Sequence, residues 1–220
     1  MTAIKAILFG DSGAYGAMSD PLDPSVTRLA TPPATTLNDN QDVFDFCYDY
    51  SRGGASWEAF FSSDPARREA AGLPGGVTFA NLLTTTDAGA ILFCLGGIDH
   101  SNLPIIANSV KQAATMCQAA GKHFAFVGVA EINASASHTW DNLGEPDFYA
   151  SENLRTVAKI ASANEMLKQT CLHEGYPMID VRSLVPVTDW GNVTGDIIHP
   201  TQAYSTAVFT RVAHGIAGTA

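Results

Sequence analysis

Ile7-Leu8-Phe9-Gly10-Asp11-Ser12-Gly13-Ala14-Tyr15-Gly16 is the stretch whose reading decides the fold. The apolar run Ala3 to Phe9 reads as a buried strand. It stops abruptly at Gly10, and a small polar serine follows its carboxyl end. In an open α/β sheet, ligands bind at the carboxyl ends of the strands. Ser12 therefore stands where a nucleophile is useful. A glycine turn whose serine caps the next helix fits this stretch equally well. The far end of the chain separates the two readings.

Outward from that turn, strands alternate with helices, which implies a mainly parallel sheet with helices on both faces. Met18 to Gln41, rich in Pro, Asp, Thr and Asn, reads as a long surface loop. Asp42–Tyr50 alternates as a second strand and ends in the tight turn Ser51-Arg52-Gly53-Gly54-Ala55-Ser56. A short helix over Trp57–Ser62 follows. Another opens at Asp64-Pro65, an N-cap followed by proline at the first helical position, and closes at Gly72. Val77–Thr86 reads as a further helix. Ala90–Leu95 is continuously apolar, so it is a central strand, and it breaks at Gly96-Gly97-Ile98-Asp99-His100-Ser101-Asn102.

A helix is expected from about Pro104 to Ala120, stopped by Gly121. Strand four is His123–Val129. Ala130–Ala150 reads as a loop carrying Trp140, Phe148 and Tyr149. A long helix, Glu152–Glu174, is capped by Ser151 and stopped by Gly175. Met178–Val181 is a short fifth strand, and a last helix runs from beyond Pro200 to about Ile216. Residues 1–220 read as one domain without repeats or linkers. Three glycine turns thus follow three strands on one rim of the sheet, and a polar turn, Asp196 to His199, precedes the final helix.

Composition narrows the function. An apolar fraction of 46% and a charged fraction of 15% belong to a folded globular chain. A net charge of -10 without a Lys/Arg cluster argues against nucleic acid or an anionic membrane surface as partner. No apolar run approaches the roughly 20 residues of a membrane span, and Met1 to Lys5 runs straight into the first strand without a leader pattern. The expectation is a cytoplasmic protein, with a mature secreted form or one released by lysis reading the same way. Cys47, Cys94, Cys117 and Cys171 form no CxxC pair and read as buried free thiols. His173-Glu174 lacks a second histidine at zinc-helix spacing, so no metal is expected there.

Acyl transfer by serine requires a base within reach, a group to orient it and donors for the oxyanion. Ser12 can be the nucleophile, His199 the base and Asp196 its orienting carboxylate. An Asp-x-x-His turn supplies both side chains from one loop. The oxyanion donors would be the amides of Ser12 and Gly54. Asp11 and Asp99 read as carboxylates that fix turns.

Gly10-Asp11-Ser12 with Gly16, then Gly54, then Gly96 to Asp99, then Asp196-x-x-His199-Pro200 resemble, in order, the four blocks of the SGNH (GDSL) hydrolase superfamily. Gly53-Gly54-Ala55 and His199-Pro200-Thr201 are most similar to its lipase/acylhydrolase branch. The resemblance implies a three-layer, flavodoxin-like α/β/α sandwich with a parallel sheet of about five strands. It also implies cofactor-free hydrolysis of carboxylic esters by Ser12, Asp196 and His199, with Gly54 in the oxyanion hole and Gly53 as the alternative.

One departure stands out. The family's third block is Gly-x-Asn-Asp, whose asparagine donates to the oxyanion, and here Ile98 takes that place. Losing one such donor costs on the order of 100- to 1000-fold in rate. Three outcomes follow: two backbone donors suffice, Asn102 or His100 substitutes, or the enzyme is feeble or specialised. Gly97, Ile98 and Trp140 are the candidate substrate contacts. Trp57, Phe148 and Tyr149 either join them or pack internally. The expected substrates are short acyl esters, including O-acetyl groups on carbohydrate.

The rivals are a carbohydrate- or partner-binding module that lost the hole donor, and an acyltransferase with the same triad. A nucleotide site is disfavoured because Gly10, Gly13 and Gly16 have the wrong spacing for G-x-G-x-x-G and no Walker lysine is present. The α/β-hydrolase elbow G-x-S-x-G is absent.

Overall fold

A computed structural model of the protein describes residues 4–11, 14, 16, 28–40, 44–97, 99–128, 146–181 and 202–217. Five strands, β1 (Ile4–Gly10), β2 (Phe44–Asp49), β3 (Ala90–Cys94), β4 (His123–Val127) and β5 (Met178–Ile179), form one sheet in the order β2-β1-β3-β4-β5. Every pairing is parallel. This is the flavodoxin-like order, with β3 at its centre. The described helices are α1 (Pro33–Asn38), α2 (Trp57–Phe60), α3 (Pro65–Ala70), α4 (Phe79–Thr85), α5 (Leu103–Ala119), α6 (Pro146–Glu174) and α7 (Gln202–Ala217).

Alternation along the strands builds two cores. Ile7, Phe9, Ile91, Phe93 and Phe126 face one side, where they meet Trp57 and Phe60 of α2, Phe79 of α4, Val110 of α5 and Leu167 of α6. Ala6, Leu8, Leu92 and Val127 face the other side, against Leu37 of α1 and Tyr204, Val208, Phe209 and Val212 of α7. Helices therefore cover both faces, and the expected α/β/α sandwich is what the chain forms. Because the strands are parallel, their carboxyl ends share one rim, which collects the three glycine turns. Among the described residues no helix is long and apolar enough to cross a membrane.

Three local expectations need correction. Residues 33–38, expected as loop, form α1: Pro32-Pro33 supplies the fixed φ of a first helical turn, and Pro33, Ala34, Thr36 and Leu37 are buried. The long helix begins at Pro146, not at Glu152. Phe148 and Tyr149 are therefore helical, and Ser151 lies inside the helix rather than capping it. Strands four and five end earlier than expected, at Val127 and Ile179.

Candidate active site

Ser12, Ile98, Trp140, Asp196 and His199 lie outside the described residues; the frame around them does not. At the end of β1, Gly10 pairs with Cys94. A Cβ on Gly10 would stand 2.1 Å from Ala14 Cβ and 3.1 Å from the Cys94 carbonyl oxygen. Only glycine leaves room for Ala14 and Cys94 at these distances. Further on, the Gly16 carbonyl accepts from Leu29 N–H at 2.8 Å, and Gly16 packs against Pro32 and Pro33.

The second turn is anchored to the first. Tyr50 N–H donates to the Leu8 carbonyl and Arg52 N–H to the Gly10 carbonyl, both at 2.9 Å. The ladder between β1 and β2 thereby continues past the strand ends. Ala55 N–H then donates to the Arg52 carbonyl at 3.1 Å, closing a tight turn over Gly53 and Gly54. Gly54 has φ +76, the left-handed conformation that favours glycine. Both glycines are exposed, a Cβ on either would meet nothing within 4 Å, and Gly54 N–H makes no hydrogen bond among the described residues.

Two buried carboxylates tie the third turn to the others. Asp11, 4% exposed, accepts from Gly97 N–H at 3.2 Å, while its own N–H donates to the Cys94 carbonyl at 3.2 Å. Asp99, 7% exposed, accepts from Trp57 N–H at 2.8 Å and Glu58 N–H at 3.4 Å. Burial pushes the Asp99 carboxyl above the usual carboxylate range, and the two amides pull it back. Asp11 thus bonds a turn amide, as the sequence reading expects, whereas Asp99 bonds the first two amides of α2.

The remaining candidates divide between rim and core. Asn102 is exposed just before α5 and makes no side-chain bond to that helix's amides. Gly97, a candidate substrate contact, has its amide engaged by Asp11. Trp57 is 0% exposed and packs on Phe60, Phe61, Phe93 and Phe126, so it belongs to the core. Beside the second turn, Arg28, Asp49, Arg52, Gly53 and Ala70 line an open cleft of about 740 Å³. Within it, Arg28 pairs with Asp49, which also accepts from Ser51 Oγ. Sequence reasoning did not find this cleft, because Arg28 and Asp49 meet only after the chain folds.

No protein-family model matches the sequence, and no curated protein matches it. Solved structures do match. An inhibitor-bound aryl esterase of M. smegmatis aligns with TM-score 0.64 at 15% identity, covering 98% of this chain and 99% of the other. A carbohydrate acetylesterase from Sinorhizobium meliloti aligns with TM-score 0.62 at 13% identity over 99% and 100%. A protein from Slackia heliotrinireducens assigned to the SGNH hydrolases aligns with TM-score 0.65 at 16% identity over 97% and 99%. Sheet order, parallel pairing and nearly complete mutual coverage together give this chain the α/β/α fold of the SGNH hydrolases.

Proposed function

We propose that the protein is a serine esterase. Ser12 attacks the ester carbonyl while His199, oriented by Asp196, removes its proton. The tetrahedral oxyanion is held by the amides of Ser12 and Gly54. His199 then protonates the leaving alcohol, and an acyl group remains on Ser12. Next His199 activates water, which attacks the acyl-enzyme and releases the acid. The observation that carries this reading is the exposed turn at Gly53 and Gly54, which the Arg52 N–H bond to the Gly10 carbonyl ties to the end of β1, two residues before Ser12.

Asn102 is the candidate third donor in place of Ile98, because its exposed carboxamide is not consumed by the helix it precedes. Short acyl esters, including O-acetyl groups on carbohydrate, are the proposed substrates. The acetylesterase from Sinorhizobium meliloti, a neighbour in fold, supports that class. Residues 1–220 act as one domain in this reading.

The test is hydrolysis of p-nitrophenyl acetate and butyrate by the wild type beside Ser12→Ala and His199→Ala. Both substitutions should abolish turnover. Wild-type activity should rise with pH as His199 loses its proton, around pH 6.5 for an unperturbed imidazole. A wild type no faster than Ser12→Ala would favour the binding-module alternative, with Ile98 as the reason. Asn102→Ala should lower kcat by about 100-fold if its amide is the third donor.

A further inference from the structure

Gln202 opens α7, three residues after His199, and both polar atoms of its carboxamide are engaged. Oε1 accepts from Thr31 N–H at 2.9 Å, and Nε2 donates to the Thr31 carbonyl at 2.8 Å. The second Nε2 hydrogen goes to Thr206 Oγ1 at 2.9 Å, one helical turn along. The side chain thus pairs with the Thr31 backbone as a strand residue would, across a separation of 171 positions. Two bonds to one residue fix angle as well as distance, and the Thr206 bond locks the amide against flipping.

Thr31 leads in turn to the nucleophile segment. Two residues earlier, Leu29 N–H bonds the Gly16 carbonyl, and Gly16 packs on Pro32-Pro33 directly after Thr31. Gly16 is four residues from Ser12. The chain between Gln202 and His199 spans three residues, which reach at most about 10 Å.

We propose that Gln202 is a positioning residue: its clamp on Thr31 sets the base-bearing turn against the nucleophile turn. The inference rests on the assignment of Ser12 and His199 above. Misplacing a base by about 1 Å costs on the order of 100-fold in rate, whereas binding of a small ester depends little on it. The clamp therefore acts on kcat rather than KM.

The experiment measures kcat, KM and the melting midpoint with p-nitrophenyl acetate for wild type, Gln202→Met, Gln202→Glu and Thr206→Val, beside Ser12→Ala and His199→Ala. Methionine keeps the length and helix propensity and removes the bonds. Glutamate keeps the acceptor but sets a carboxylate against the Thr31 carbonyl. Gln202→Met should lose about 10- to 100-fold in kcat with KM within about twofold, Gln202→Glu at least as much, and Thr206→Val less in the same sense. Gln202→Met with wild-type kcat, or with its loss confined to KM, overturns the clamp. Should Gln202→Met fail to fold, Thr206→Val decides: a lowered kcat at unchanged KM supports the clamp, and an unchanged kcat overturns it. A wild type without turnover, or an active Ser12→Ala, removes the catalytic reading and this inference with it, an outcome distinct from failure of Gln202→Met alone.

Discussion

Asp99 shows how a carboxylate at the rim serves the framework. It lies in the third block, and both carboxylate oxygens serve the first two amides of α2. Its carboxyl group is held above its ordinary value by burial. A raised carboxyl means that the folded state holds its proton more tightly than the unfolded chain. The contribution to stability is then complete below the unfolded value, about pH 3.9, and is lost as pH rises through the folded one. Asp99→Asn cannot titrate, so its melting midpoint should gain relative to wild type as pH goes from about 3 to 7. Calorimetry at a series of pH values checks the sign; a difference that is constant or runs the other way would contradict it.

Three glycines of the rim make a sharper contrast. Gly10→Ala collides with Ala14 and Cys94 and should cost about 1–3 kcal/mol by overpacking. Gly54→Ala has open space but keeps φ +76, so it should cost about 1–2 kcal/mol of left-handed backbone. Gly53→Ala, with neither problem, should be nearly neutral. Urea midpoints of the three variants distinguish space from conformation.

At the scale of elements, α3 is instructive because it has no buried side chain. Asp64 caps it, its Oδ1 accepting from Ala66 N–H at 2.9 Å. Arg68 then fastens the helix to its surroundings through the carbonyls of Ser62, Ser63, Gly76 and Val77. Arg68→Met should lower unfolding free energy by about 1–3 kcal/mol, the value of bonds to a charged donor. A urea titration measures it.

Elements with strong local signals were readable from the chain. Continuous apolar runs marked β1 and β3, Asp64-Pro65 marked α3, and Gly121 and Gly175 marked the ends of α5 and α6. What escaped was local order set by burial. The polar composition of 33–38 reads as loop, but one face of that turn packs under α7. The triad itself lies outside the described residues. Its supporting frame was legible in part: the glycine turns and both carboxylates stood in the motifs, while the Gly10–Arg52 bond did not.

For the whole molecule, the four cysteines offer a simple report. All are free and buried. Burial pushes Cys47, Cys117 and Cys171 up to about 12, and Cys94 higher still. A thiol held so far above neutrality has almost no thiolate to react. Ellman's reagent should label none of them within minutes in the native protein and all four in denaturant, and reductant should leave the melting midpoint unchanged. Prompt labelling of native protein would mean that the cores open.

The amino-acid sequence by itself determined the strand–helix alternation, the parallel sheet and the rim of glycine turns. Those are carried by periodicity, caps and turn residues, which act over a few neighbours. Only the tertiary structure decided that Asp11 bonds Gly97, that Asp99 caps α2, that Arg28 and Asp49 line one cleft and that Gln202 clamps Thr31. Each joins residues distant in the chain, and no local pattern encodes such a pairing. It exists because hydrophobic burial on both faces of one sheet brings the partners within hydrogen-bond range.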